Sequence, residues 1–429
     1  MLALISDPSR AKYARNELQF WLFGAVGMAV ALSYASLVNQ ADFMVFYDAA
    51  TKLLHGINPF PNPDSSFVFS GKAYVYPTWD LLIIAPFTLF SPHLASLIFV
   101  AASSLCYTIA LRLLRGPSPL VVLTVSVMTP VLISMQMGTM TPLMFLGLAI
   151  VWRFRDSLVV AGIIVAFLAT LKLFLMPVLL FFLVTKRWRT FALALLTVAV
   201  LISASFAFGP ISIISYVHIL LVLSAHEMSF GWSLSGVLRS LLPYSIINQA
   251  LLGGLILSML AGIIVFHNKS RDDASTFVGV VIVALLATPI LWSSYLPLLL
   301  CVTLILKTTD KALALLGLFT WILVTPDLAG MQWDSTGIIV SGALVLAIYL
   351  SKNQEPLIVK SKNNRTRTWY GVFGREKLLP ILGALFLLVL GFELTFKGFL
   401  PAFVVQVMLF GVFIWGRSQA RSTSKLLMK

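Results

Sequence analysis

The stretch Leu18–Val38 reads LQFWLFGAVGMAVALSYASLV and contains no charged side chain over its 21 residues. A helix needs about 20 apolar residues to cross the hydrocarbon core of a bilayer. A basic head between Arg10 and Arg15 precedes the stretch, and Asn39 follows it where a cleaved signal peptide would have small residues. The stretch is therefore predicted to be an uncleaved first membrane span.

The composition of the whole chain also indicates a membrane protein. Of the 429 residues, 59% are hydrophobic and 11% are charged, against about 45–50% and about 25% in soluble domains. One soluble core cannot bury so much apolar surface, which excludes a soluble enzyme, a disordered scaffold and a disulfide-stapled secreted domain. The two cysteines, Cys106 and Cys301, lie in apolar stretches and predict neither a disulfide nor a metal framework.

Similar apolar runs recur along the chain, so we predict an all-α, polytopic transmembrane helical protein with about 12–14 spans. The predicted spans are residues 18–38, 93–114, 118–135, 139–154, 158–172, 174–185, 190–208, 245–267, 275–291, 294–307, 311–325, 335–350, 378–396 and 399–416. Each of the pairs 158–185 and 275–307 could instead be one long kinked helix. The run Leu81–Phe90 is too short to span and is expected to be half-buried or re-entrant.

The positive charges predict the orientation of these spans. If the N-terminus is cytoplasmic, 25 of the 30 Lys and Arg residues fall on the inner side, as the positive-inside rule requires. The outer side then holds Lys52, Lys72, Lys172, Arg239 and Lys397. We therefore expect a multi-pass protein of the cell (inner) membrane with both termini in the cytoplasm. The net charge of +14 is spread over short loops, so no nucleic-acid partner is expected.

This orientation divides the chain into three parts. Residues 1–350 form the main transmembrane module, with two large external loops at 39–92 and 209–244. Residues 351–377 form a basic cytoplasmic loop that is expected to touch anionic lipid headgroups. Residues 378–429 form a C-terminal helical pair and a basic tail.

The first external loop opens with an amphipathic juxtamembrane helix, ADFMVFYDAATKLLHG, at residues 41–56. Its apolar stripe is Phe43, Tyr47, Ala50 and Leu54, and its polar stripe is Asp48, Lys52 and His55. Gly56 ends the pattern as a C′ glycine would, and the helix is predicted to lie on the outer membrane surface. Asp48 is expected to pair with Lys52. Asp42 could act as an N-cap or dipole partner, or as a functional carboxylate.

Prolines and aromatic residues dominate the rest of this loop. Four prolines between Pro59 and Pro77 forbid a continuous helix. Aromatic side chains are interleaved with them: Phe60, Phe67, Phe69, Tyr74, Tyr76 and Trp79. The segment could be an interfacial aromatic belt or a rigid wall for a sugar or lipid headgroup.

The first loop resembles the N-terminal signature of glycosyltransferase family 87, whose members are polytopic enzymes of GT-C type. The resemblance is carried by Asp42-Phe43-x3-Tyr47-x-Ala49-Ala50-x2-Leu53-Leu54-x-Gly56-x-Asn58-Pro59-Phe60, then Tyr76-Pro77 and Ala85-Pro86-Phe87. Further similarities lie at Gly138–Thr141, at Lys172 in ATLKLFLMP and at Ala287–Trp292, so that roughly residues 15–310 are covered. Two positions depart from the family pattern: Thr139 replaces a glutamine, and Ser293-Ser294-Tyr295 lacks the histidine that often follows Trp292.

The resemblance implies a membrane glycosyltransferase. It would move a hexose (mannose-like) or another sugar, with inversion, from a polyprenyl-phosphate donor to a lipid or glycan acceptor, as a mannosyltransferase of cell-envelope glycans does. The reaction would take place on the non-cytoplasmic face, periplasmic or extracellular. The catalytic acid of the family falls on Asp42, which would act as the general base. The chain contains neither a P-loop nor a GxGxxG fingerprint for a nucleotide donor.

The remaining site predictions follow from charge and position. Lys172 and Arg239 are expected to bind the donor phosphate, although Lys172 could merely snorkel to the interface. The substrate cleft is assigned to Tyr47, Asn58, Tyr76, His226, Glu227 and Trp232. His226 and Glu227 could also be solvated loop residues. We expect no cofactor, and a metal ion stays an open alternative. The expected partners are the donor, the acceptor and membrane lipids.

A transporter or flippase of lipid-linked sugars is the alternative from another functional class. It would need polar or charged residues near the bilayer midplane. Most predicted spans lack charge in their interiors, and the polar residues gather at one face instead. A non-catalytic membrane anchor, the third possibility, would not require the proline-rich aromatic loop.

Overall fold

The computed structural model describes residues 8–35, 40–126, 128–227, 246–288 and 292–306. Every regular element within these ranges is helical, and they contain no strand. The predicted all-α membrane fold is therefore confirmed.

Fourteen α-helices and five 3₁₀ helices make up the described part of the chain. The α-helices are α1 (Pro8–Ala35), α2 (Ala41–Leu54), α3 (Leu81–Ile84), α4 (Pro92–Arg115), α5 (Pro119–Ser126), α6 (Thr129–Met137), α7 (Thr141–Arg153), α8 (Leu158–Leu171), α9 (Leu180–Val184), α10 (Trp188–Ala207), α11 (Ile213–Glu227), α12 (Ile246–Ser270), α13 (Asp273–Ala287) and α14 (Pro297–Ile305). The 3₁₀ helices are Ser66–Phe69, Thr78–Asp80, Ala85–Leu89, Leu173–Leu179 and Ser293–Tyr295.

Three of the described helices are long and apolar enough to cross a membrane: Pro92–Arg115, Trp188–Ala207 and Ala250–Ser270. The shorter apolar helices include α7, α8 and α13. The predicted spans 311–325, 335–350, 378–396 and 399–416 lie outside the described residues, as do the basic loop 351–377 and the C-terminal tail. The total number of spans therefore stays a prediction.

Prolines and an extended residue decide where the apolar runs divide. The run predicted as 118–135 splits into α5 and α6 at Met128, ahead of Pro130, which occupies the first turn of α6. The run 158–185 divides at Lys172, whose extended backbone (φ −142°, ψ 108°) ends α8. The 3₁₀ helix Leu173–Leu179 then packs back against α8, so this run is not one long kinked helix. Residues 81–90 form only α3 and a 3₁₀ turn.

Helix α2 follows the predicted amphipathic pattern with one exception. Gly56 has a φ of +72° just beyond its end, as a terminating glycine does. Phe43, Tyr47 and Ala50 are buried, whereas Leu54, at the end of the helix, is 61% exposed. The helix packs against α3, α4, α6 and the 3₁₀ helix Ala85–Leu89.

The connections of the bundle gather at two opposite ends, separated by the length of α8. At one end, Arg187 bonds to Asp156 at 2.6 Å and to Asp273 at 2.8 Å. These residues belong to three connections that the charge pattern places in the cytoplasm. At the other end, Lys172 meets Tyr76 of the first loop and Tyr295. The candidate site lies at this second end.

Candidate functional site

Lys172 is the centre of the candidate site. Its ammonium group donates hydrogen bonds to the hydroxyl of Tyr76 and, at 2.6 Å, to the hydroxyl of Tyr295. The same nitrogen lies 4.0 Å from the ring centroid of Tyr76 and 5.0 Å from that of Tyr295, within the range of a cation–π interaction. Both tyrosine hydroxyls are uncharged partners of this ammonium group.

An aromatic cluster fixes the position of Tyr76. Its ring centroid lies 4.7 Å from that of Phe46 on α2 and 5.9 Å from that of Tyr74. The buried hydroxyl of Tyr74 donates to the carbonyl of Pro77 at 2.7 Å, and Pro77 is the N-cap of the 3₁₀ helix Thr78–Asp80. The proline-rich aromatic segment therefore forms one wall of the site beside Lys172.

Asp42 lies in the first turn of α2 and is partly exposed. Burial raises the pKa of Asp42 above its ordinary value, and the positive charge of Lys172 acts in the opposite direction and lowers it. The N-cap of α2 is Gln40 rather than Asp42, although a carboxylate in the first turn still favours the helix dipole. Asp42 and Lys172 are thus electrostatically coupled at the same end of the bundle.

A second carboxyl group, that of Asp80, also faces this cluster. The residue ends the 3₁₀ helix Thr78–Asp80 and has no exposed surface. Burial raises the pKa of Asp80 well above its ordinary value, and the charge of Lys172 again lowers it. Sequence reasoning missed this residue. The sequence did contain one sign of a functional carboxylate here, an acidic residue directly before the apolar run LLII.

Tyr295 is the other residue that sequence reasoning missed as a functional residue. It lies in the 3₁₀ helix Ser293–Tyr295, and its ring also contacts Phe174, with centroids 5.2 Å apart. The position was visible in the sequence as a departure from the family pattern. The structure shows that a tyrosine there reaches Lys172, a contact that joins two segments distant in the chain.

The other predicted site residues lie in different surroundings. The hydroxyl of Tyr47 donates to the carbonyl of Phe90 at 2.9 Å, a contact that packs α2 against the end of the loop. The exposed Asn58 accepts from the backbone N–H of Phe60 at 2.9 Å and so shapes a turn. The structure therefore brings Asp42, Tyr76 and Lys172 together and gives Tyr47 and Asn58 contacts of their own.

The predicted residues of the second loop are described only in part. His226 is exposed near the end of α11, where its ring centroid lies 4.2 Å from that of Phe69. Glu227 is the last residue of α11. Trp232 and Arg239 lie outside the described residues. Loop 209–244 therefore meets the first loop through His226.

The chemistry of the site suits an anion better than a metal ion. A lysine flanked by tyrosine hydroxyls offers N–H and O–H donors, which are the groups that bind phosphate oxygens. Within the described ranges, no three His, Cys, Asp or Glu residues gather as metal ligands would. The neighbouring carboxylate of Asp42 can accept a proton from a bound hydroxyl group.

Comparison with known proteins identifies the family. The model of glycosyltransferase family 87 matches residues 74–289, which is half of the chain. This range contains Tyr76, Asp80 and Lys172, and it begins after Asp42. No curated protein and no solved structure matches the chain. The chain belongs to glycosyltransferase family 87 and is a membrane glycosyltransferase.

Proposed function

We propose that this glycosyltransferase moves a hexose, mannose-like or otherwise, from a polyprenyl-phosphate donor to a lipid or glycan acceptor. The transfer inverts the anomeric carbon and takes place on the non-cytoplasmic face of the cell membrane. The observation that supports it best is the meeting of Lys172 with Tyr76 and Tyr295 beside Asp42. A phosphate-binding cation and a carboxylate base are the two groups that such a reaction needs.

The proposed reaction divides between these two groups. Asp42 takes the proton of the acceptor hydroxyl, whose oxygen attacks the anomeric carbon of the donor. The bond between that carbon and the phosphate oxygen breaks, and its electron pair leaves with the polyprenyl phosphate. Lys172 stabilises the charge that develops on this phosphate, as positioned cations do in other group transfers. Inversion follows because a single in-line displacement occurs.

The opposing effects on Asp42 suit a general base. Partial burial raises the pKa of Asp42 and so makes its carboxylate more basic. Lys172 lowers the pKa and so favours the ionised form that can accept a proton.

A single lysine also fits the proposed class of donor. A polyprenyl-phosphate sugar carries a monophosphate diester with one negative charge, whereas a nucleotide-diphosphate sugar carries two charges and a base to be recognised. The chain lacks a nucleotide fingerprint. The apolar helices around the site, by contrast, suit a donor that is itself anchored in the membrane. Membership of an enzyme family also favours transfer over the transporter or flippase alternative.

The experiment is sugar transfer by the full-length protein in proteoliposomes. Radiolabelled polyprenyl-phosphate mannose is offered first, then the other hexoses on the same lipid. The variants Asp42→Asn and Asp42→Ala should lose transfer by about 100-fold or more, since a general base contributes about that much. Asp48→Asn is the matched control, because Asp48 is an exposed carboxylate on the same helix.

Two results would contradict the proposal. Full transfer by either Asp42 variant would remove the base assignment. Accumulation of a solute inside empty proteoliposomes, with the donor unconsumed, would favour the transporter instead.

A further inference from the structure

Asp80 lies in surroundings that do not stabilise a carboxylate charge. The side chain is wholly buried, and neither of its oxygens has a hydrogen-bond partner among the described residues. Removing an ionised carboxylate from water costs several kcal/mol unless donors or a paired charge compensate. The neutral acid costs far less, because it has no charge to desolvate.

Three donor groups that are electrostatically coupled to Asp80, those of Tyr74, Tyr216 and Lys172, donate to other acceptors. The hydroxyl of Tyr74 donates to the carbonyl of Pro77 at 2.7 Å, and that of Tyr216 donates to the carbonyl of Val75 at 3.3 Å. The ammonium group of Lys172 donates to the hydroxyls of Tyr76 and Tyr295. Each of these three groups thus has an acceptor other than Asp80.

The titratable groups coupled to Asp80 come from three parts of the chain. Tyr74 and Tyr76 belong to its own loop, Tyr216 to α11 and Lys172 to the end of α8. Asp42 of α2 is coupled in turn to Tyr76 and Lys172. Lys172 is the cation in this set, and its charge acts on both carboxyl groups. Burial is the larger influence on Asp80 and raises its pKa, which is the same direction that the absence of hydrogen-bond donors at its oxygens indicates.

We propose that Asp80 is a positioning residue that is held as a neutral carboxylic acid and thereby leaves the charge of Lys172 to Asp42 and to an anionic ligand. The inference rests on the proposed function in one respect, since it takes this ligand to be a lipid phosphate. If Asp80 became ionised, two carboxylates would share one ammonium group, and the lysine would attract the phosphate less. Anion binding would then weaken as pH rises.

Infrared spectroscopy of the full-length protein in lipid nanodiscs tests the protonation state directly. The wild-type protein at about pH 7 should show the C=O stretching band of a protonated, non-hydrated carboxyl group. The band should be absent from Asp80→Asn and retained in Asp42→Asn. If the wild-type protein lacks the band, or if the band is lost in Asp42→Asn instead, the inference is overturned. The wild-type spectrum decides this even where the Asn variant folds poorly.

Binding of farnesyl phosphate, measured from about pH 6 to about pH 10, tests the consequence. Wild-type binding should weaken on the alkaline side as Asp80 ionises. In Asp80→Asn the midpoint of this loss of binding should move upward by about one pH unit or more. At pH values above the wild-type midpoint, the variant should therefore bind farnesyl phosphate about tenfold more tightly. Asp64→Asn, an exposed carboxylate of the same loop, is the control and should keep the wild-type profile.

The remaining outcomes each decide the question. An unchanged midpoint, or weaker binding at every pH, would mean that Asp80 does not compete for Lys172 on ionisation. Tighter binding of Asp80→Asn at every pH would mean that Asp80 is ionised throughout. If the wild-type protein binds no farnesyl phosphate at any pH, the proposed donor class fails, whereas the infrared result still decides the state of Asp80.

Discussion

The position of Lys172 is set by the end of helix α8. A lysine at the end of an apolar helix is costly unless it reaches water or a polar partner. The extended backbone at this residue ends α8, and the side chain reaches two tyrosine hydroxyls. Snorkelling accounts for a lysine near an interface, but it does not require contacts with two separate loops. The arrangement therefore suits a binding role better than a merely tolerated charge.

Replacing Lys172 by glutamine should change both the rate and its pH dependence. Transfer at neutral pH should fall by about 100-fold or more, because the developing phosphate charge loses its cation. Lys172 lowers the pKa of Asp42, so its removal raises that pKa further. Because the base must be deprotonated, the acid limb of the pH–rate profile should move to higher pH. The measurement is kcat/KM for sugar transfer across the acid range.

Lys72→Gln supplies the control for this pH experiment. Lys72 is an exposed lysine of the first external loop, which also carries Tyr76. Its replacement should leave the acid limb in place. An acid limb that stays unchanged in Lys172→Gln would contradict the electrostatic coupling between Lys172 and Asp42.

Single residues also show how far the sequence could lead. Asp42, Tyr76 and Lys172 were predictable because residue type, position and the family pattern all mark them. The contacts between them were not, since Lys172 is 96 residues from Tyr76 and 123 from Tyr295. Helical periodicity describes neighbours three or four residues apart and says nothing of such distances. Asp80 was missed for the same reason, because its significance depends on the side chains packed around it.

At the scale of elements, Gly138 joins α6 to the helix that carries Asp42. It has a left-handed backbone at the end of α6 (φ 70°, ψ 37°). A Cβ atom at this position would lie 2.5 Å from the Cβ of Phe43, next to Asp42 in α2. The glycine is therefore required twice, once by its backbone conformation and once by the close approach of α2.

Gly138→Ala should consequently lower both stability and transfer. The left-handed conformation alone costs about 1 kcal/mol for a residue with a Cβ, and the contact with Phe43 must also shift α2 and with it Asp42. Gly56→Ala is the matched control, because Gly56 also has a positive φ but nothing lies near its added Cβ. Thermal unfolding and kcat should be measured for both variants. Equal effects in the two would contradict a role for the contact with α2.

Most of the helices could be predicted from the sequence, but only some of the positions at which one helix ends and the next begins. Long apolar runs predict helices because a bilayer leaves no other partner for backbone polar groups. Gly56 predicted the end of α2 correctly. The division at Met128 was missed although Pro130 could have indicated it, since proline is compatible with either a kink or a new helix start. Periodicity places Leu54 in one stripe with Phe43, Tyr47 and Ala50, but it does not show which members of the stripe other helices cover.

For the whole molecule, the two ends of the bundle differ in chemistry. One end has the ion pairs of Arg187 with Asp156 and Asp273, together with Arg155 at 3.8 Å from Asp273. The other end has the aromatic wall, Lys172 and the carboxyl groups of Asp42 and Asp80. Many basic residues near one surface favour the cytoplasm. The charge pattern and the contacts thus agree on which connections lie at the same end of the bundle. Which end faces the cytoplasm stays a prediction.

Cysteine labelling in intact cells tests this orientation. Lys72→Cys places a thiol on the exposed part of the first loop, and Arg189→Cys places one at the start of α10, at the opposite end. A thiol reagent that cannot cross the cell membrane should label Lys72→Cys in intact cells, and should label Arg189→Cys only after the cells are opened. The parent protein is the control, since Cys301 is buried and Cys106 is partly buried in α4. Labelling in the reverse order would place Asp42 and Lys172 on the cytoplasmic face of the membrane. The sugar of the lipid-linked donor would then have to lie at the cytoplasmic leaflet instead of the outer one. That result would remove the proposed location of the reaction while leaving the family assignment intact.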